Sequence, residues 1–159
     1  MSDVRLVFNC DDQQCVDVGV ACGDLIVGND LSTAIYLSLF TDRRASPDDR
    51  IPDGTDPRGW WGDAIVGDYM GSRLWLLERS RNVSETLRLA QDYAKESLKW
   101  LVTDGVIKSF TVTAVAVGSC DKTLLLTVQI YKPDGKTLGW KYRYAWDLSA
   151  VTQCDWTVS

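Results

Sequence analysis

The chain has 159 residues, 45% hydrophobic and 25% charged, close to the averages of globular domains, so one compact domain spanning 1–159 is expected. A formal charge of −5 without clustered Lys and Arg argues against nonspecific binding to nucleic acid or anionic lipid, which requires a basic stripe to release counterions. No run approaches the roughly 18 apolar residues needed to cross a membrane, and the start, MSDVRLVFNCDD, has no basic region leading into an apolar export signal.

Five cysteines, Cys10, Cys15, Cys22, Cys120 and Cys154, are odd in number and irregularly spaced, so reduced thiols are expected rather than a disulfide framework. Histidine is absent, and the Cys10, Cys15, Cys22 spacing fits no common zinc pattern; neither a metal nor another cofactor is predicted.

In chain order, residues 1–30 carry two short alternating runs, VRLVF at Val4 to Phe8 and CVDVGVA at Cys15 to Ala21, which read as strands. The stretch from Asp30 to Phe40, DLSTAIYLSLF, allows two readings. Ser32 suits a helix cap, but Ile35, Leu37 and Leu39 alternate and the residue types favour a strand, which is the expectation adopted. From Thr41 to Asp68 prolines, glycines and mixed charges without period predict a long loop, and Trp60 and Trp61 within it imply order on docking.

Between Asn82 and Asp104, Val83, Leu87, Ala90, Ala94, Leu98 and Leu101 recur at steps of three and four, the mark of an amphipathic helix. Asn82 with Glu85 forms a capping-box pattern and Gly105 a stop. A second row, Leu89, Tyr93 and Trp100, lies further round the helix; it either meets a partner or is sunk between sheet and loop. Residues 106–147 change to period two. Phe110 to Ala116, Leu124 to Ile130 and Trp140 to Trp146 predict a three-stranded antiparallel meander, the last strand setting aromatics against Lys141, Arg143 and Asp147. The fold class expected is α+β: a C-terminal meander packed on one long amphipathic helix, with short N-terminal strands and a long central loop.

Chemistry is poorly supplied. There is no histidine base, no nucleophile elbow and no glycine-rich phosphate loop. Asp53, Asp56, Asp63 and Asp68 near the tryptophan pair make a glycan-cleaving or glycan-binding site conceivable, but 22 acids in the chain make such proximity ordinary. The segment SPDDRIPDGTDPRG interrupts its acids with Arg50, Pro52 and Pro57, unlike a calcium loop. Tryptophan and arginine together instead suit a protein contact. The candidate contact residues are Arg58, Trp60, Trp61, Asp63, Arg73, Trp75, Arg79, Tyr93 and Trp100, with Arg58 and Asp63 pairing at the rim; for Trp75 and Trp100 a place capping the core is favoured.

The blocks SLFTDRRA, RGWWGD, GSRLWLLERSR and YAKESLKWLVTDGV, with PDG at Pro52 and again at Pro133, occur in this order in the small baseplate protein of Mu-like contractile-tailed phages, and the chain resembles that family from about Ser38 to Trp146. The family is similar to the sheath-initiating wedge protein of T-even phages. The resemblance implies a nonenzymatic, multicopy virion protein of the tail baseplate, assembled in the host cytoplasm. Its implied partners are a J-like wedge protein, spike- or hub-proximal proteins and the tail sheath protein, the sheath being met by strand addition at the meander's exposed edge.

Overall fold

Six short strands open the chain and pair as three antiparallel two-stranded ladders: β1 (Asp3–Val4) with β6 (Val27–Gly28), β2 (Leu6–Asn9) with β3 (Cys15–Val18), and β4 (Val20–Ala21) with β5 (Asp24–Leu25). The two expected N-terminal runs therefore form strands, the second interrupted at Gly19, while Arg5 of the first lies outside the described residues. The structure is a computed structural model, and it describes residues 3–4, 6–9, 15–28, 31–52, 54–66, 69–78, 83–117, 123–145 and 150–156.

The segment expected to be a strand, Leu31–Phe40, is helix α1. The alternation of Ile35, Leu37 and Leu39 would put all three on one face of a strand. Instead Ile35 and Leu39, one helical turn apart, are fully buried while Leu37 is exposed. Nearly every position in this segment is apolar or small, so both periods fit the sequence and tertiary burial decides. Ser38 donates to the carbonyl of Ala34 at 2.8 Å, which satisfies a buried hydroxyl inside the helix.

The following loop is irregular from Thr41 to Gly62, as expected, but closes with a four-residue helix, α2 (Asp63–Val66), where irregular chain was predicted. Backbone bonds from Asp63 N–H to Trp60 O and Ile65 N–H to Gly62 O wind this turn. A 3₁₀ turn, Leu74–Leu77, buries Leu74, Trp75 and Leu77.

The long helix α3 (Val83–Thr103) matches its predicted span to within a residue at each end, while its expected cap, Asn82, lies outside the described residues. Gly105 follows it with a φ of +70°, the left-handed conformation that glycine adopts without a Cβ clash. Strands β7 (Ser109–Val117), β8 (Thr123–Tyr131) and β9 (Thr137–Ala145) form the meander, with Ser109 opposite Tyr131 and Thr123 opposite Ala145. A fourth strand, β10 (Ala150–Trp156), extends it, giving the order β10-β9-β8-β7. Trp146 and Asp147 are outside the described residues.

The core lies between α3 and the sheet. Ala90, Ala94, Leu98 and Leu101 face Val112 and Ala114, with Leu126, Val128, Ile130, Trp140 and Tyr142 beneath. Small alanines on both α3 and β7 let the two elements approach closely, and β7 is the strand on which α3 chiefly packs. Beside α3, on the same face of the sheet, α1 closes the core: the rings of Tyr36 and Phe40 stand 6.4 and 5.3 Å from that of Tyr142.

One backbone contact ties the loop's two ends. Asp42 and Ser72 form a parallel bridge, with Arg43 N–H bonded to Ser72 O and Ser72 N–H to Thr41 O, both at 2.9 Å. Gly71 sits there at φ +95°, and a β-carbon would stand 2.2 Å from Thr41 O. Gly71→Ala is therefore expected to cost about 2 kcal/mol or more, from left-handed strain plus displacement of the bridge; urea unfolding would check this, and a midpoint equal to that of the unaltered chain would contradict it.

Candidate functional site

Between α1 and α3 the chain is too polar to be held by apolar burial alone, and three arginines hold it by charge and ring contact. Arg58 has a left-handed backbone, φ +48°, stabilised by its own N–H bonding Asp56 Oδ1 at 2.9 Å. That turn aims its guanidinium inward. It bonds Asp42 Oδ2 at 2.9 Å, lies 3.6 Å from Glu78 Oε2 and covers the ring of Trp75 at 4.4 Å. Trp75 is 3% exposed and donates its indole N–H to Arg43 O at 2.9 Å, so its one polar atom is satisfied in the core.

Arg73 is the second clamp. It bonds both Asp49 oxygens at 3.0 and 3.2 Å and Glu96 Oε2 on α3 at 2.7 Å, while lying 4.7 Å from the centre of the Tyr93 ring. Arg43 reaches the other Glu96 oxygen at 3.4 Å and lies 5.5 Å from the Tyr69 ring centre. Burial works against the Arg73 charge, but its hydrogen bonds to Glu96 and Asp49 outweigh this and hold its pKa above the usual range. Burial, and secondarily the charge of Asp49, pushes the Tyr93 hydroxyl up.

The predicted contact residues thus divide. Arg58, Arg73, Trp75 and Tyr93 are brought together in pairs, Arg58 on Trp75 and Arg73 on Tyr93, which fasten the loop to the rest of the domain. The expected pairing of Arg58 with Asp63 does not form. Arg58 turns toward Asp42 and Glu78, and Asp63 accepts from Met70 N–H at 3.1 Å. Trp60 is half-buried with its ring over Gly62, where a β-carbon would stand 2.0 Å from it. Trp61 projects beside it, 75% exposed, the two rings 5.3 Å apart. Trp100 is 41% exposed yet anchored, its indole N–H bonding Ser38 Oγ at 3.0 Å. Arg79 lies outside the described residues.

Sequence reasoning missed Glu96, Asp49 and Asp42, the carboxylates that direct the arginines, and the exposed Ile65 and Tyr69 that follow Trp61 in the chain. A signal for Glu96 was present: it stands three residues after Tyr93, on the same face of the helix.

The fold and this loop define a small α+β domain in which three arginines fasten a central segment while bulky apolar side chains, Trp61 and Ile65 among them, stay exposed. The chain belongs to the phage protein GP46 family, whose model matches residues 31–137. It is 35% identical to "Baseplate protein gp46" of Escherichia phage Mu over 92% of this chain and 99% of that protein. It is 36% identical to "Mu-like prophage FluMu protein gp46" of Haemophilus influenzae over 93% of this chain and the whole of that protein.

Two outcomes are expected of the clamp. Arg73→Ala leaves Asp49, whose side chain is 14% exposed, without its guanidinium and should cost about 2 kcal/mol, whereas Glu96→Ala, at 39% exposed, should cost under about 1 kcal/mol. Equal losses in urea titrations would refute that ordering. Tyr36 is raised by burial as Tyr93 is, so both folded hydroxyls stay protonated above their ordinary value of about 10, where the unfolded chain begins to lose protons. Their contribution is complete below about pH 10 and falls away as the pH rises. Melting temperatures should drop in that range, less steeply for Tyr93→Phe.

Proposed function

We propose that this chain is a nonenzymatic structural subunit of a phage-tail baseplate, joining neighbouring wedge subunits through the Trp61 side of its loop and helping to start the sheath through β7, an outer strand of the sheet among the described residues. The observation that carries this reading is membership of a family in which a relative of nearly equal length is named a baseplate protein. The virion is then its place of action, and other baseplate components and the sheath its partners.

Physical features support the two contacts. Trp61 and Ile65 are 75% and 76% exposed four residues apart, and tryptophan is among the side chains most enriched at interface hot spots. Strand β10 pairs with β9, so the meander's last strand is not an edge, and β7 is left as one border of the sheet. Its nine residues, SFTVTAVAV, include no charge and no proline, and such an edge in an isolated protein invites pairing with another strand.

The two contacts separate experimentally. Trp61→Ala should leave stability within about 0.5 kcal/mol, since the ring is largely in water, yet weaken co-purification with other baseplate proteins by about tenfold or more. Val115→Lys, an exposed position on β7, should spare baseplate incorporation but reduce sheath assembly seen by electron microscopy. Tails assembled normally by both variants would overturn the proposal.

A further inference from the structure

The loop also folds round a cleft of about 500 Å³ lined by Arg43, Arg44, Pro47, Ile51, Pro57 and Tyr69, with Asp49 in its lining as well. We infer that this cleft binds an acidic peptide segment of another protein, a carboxylate meeting Arg44 and an adjacent apolar side chain lying on Tyr69 and the two prolines.

The charges point to an anionic occupant. Asp49, the carboxylate in the lining, is spent: Arg73 takes both its oxygens and Ser46 N–H bonds one of them at 2.8 Å. Arg43 faces Glu96 and the Tyr69 ring. Arg44 differs, being exposed and having no hydrogen bond, ion pair or ring contact among the described residues. A guanidinium lining a concave site whose one lining carboxylate, Asp49, is already engaged is complementary to a carboxylate, and in a chain of charge −5 it is a local exception.

The walls point to a peptide rather than a bare anion. Pro47, Pro57, Ile51 and a Tyr69 ring that is 57% exposed give the cleft an apolar lining beside the charge, the mixture on which an extended segment with alternating side chains can lie. The cleft is also fixed in place. Ala45 N–H bonds Pro57 O at 2.9 Å across it, and Gly59 lets the chain pass so near Arg44 that a β-carbon would stand 3.0 Å from that residue's own. Little ordering is left to oppose binding.

The test is fluorescence anisotropy with the full chain and a labelled peptide alternating glutamate with leucine, against its lysine–leucine counterpart. The glutamate peptide should bind more tightly. Arg44→Ala should weaken it about three- to fivefold, the size of a partly exposed ion pair, and Arg44→Glu about tenfold or more, while Arg44→Lys retains part of the affinity. Trp61→Ala should leave it unchanged, which keeps this site distinct from the proposed wedge contact. Equal binding of the two peptides, indifference to Arg44→Glu, loss with Trp61→Ala instead, or full displacement by inorganic phosphate at the peptide's own concentration would overturn the assignment.

Discussion

Arg73 joins a segment with little regular secondary structure to α3, taking both Asp49 oxygens and one oxygen of Glu96, and the position of that segment depends on this clamp. A chain of this length without ladder hydrogen bonds loses much conformational entropy on ordering, and its composition offers few apolar side chains to offset the loss. Arg43 and Arg73 converge on the Glu96 carboxylate, and each also lies near a tyrosine ring. Only a planar guanidinium can bridge two carboxylates and cover a ring in one arrangement; an ammonium at position 73 would keep the charge and lose the geometry.

The same arrangement sorts the tryptophans. Trp75 is drawn inward because its indole N–H finds the Arg43 carbonyl and Arg58 covers its face, so both ring and polar atom are accounted for. Trp61 has neither fastening among the described residues and remains in water. Two residues of one type, in one segment, therefore reach opposite environments through the position of a carbonyl and a guanidinium rather than through any difference in hydrophobicity.

This limits what could be read from sequence. The helix from Val83 and the three alternating strands were legible because each repeats its period over several turns or pleats, and both ends of the helix carry local signals. Leu31–Phe40 was read wrongly because an apolar run buried on most sides satisfies both periods, and only the separation of Leu37 from Ile35 and Leu39 in space distinguishes them. Strand β10 was missed for the opposite reason: Val151, Gln153 and Asp155 alternate with Thr152, Cys154 and Trp156, which leaves neither face consistently apolar, and its place is set by pairing with β9. For the site, the residue types were legible and their partners were not. Arg58 next to a nearby Asp63 is a reasonable pairing along a line, but a left-handed backbone at Arg58 points the side chain across the loop to Asp42.

The second apolar row of α3 can now be understood. Leu89 and Tyr93 are half-buried against the core, with Arg73 over the Tyr93 ring, while Trp100 keeps much of its ring exposed. One helix thus serves two tasks, its alanine and leucine row packed on the sheet and its tyrosine and glutamate holding the loop. Because the loop is already fixed on α3 before any partner arrives, a protein that covers Trp61 meets a preformed surface. In the proposed wedge contact the ordering cost of association would fall mainly on the Trp61 and Ile65 side chains instead of on the whole segment.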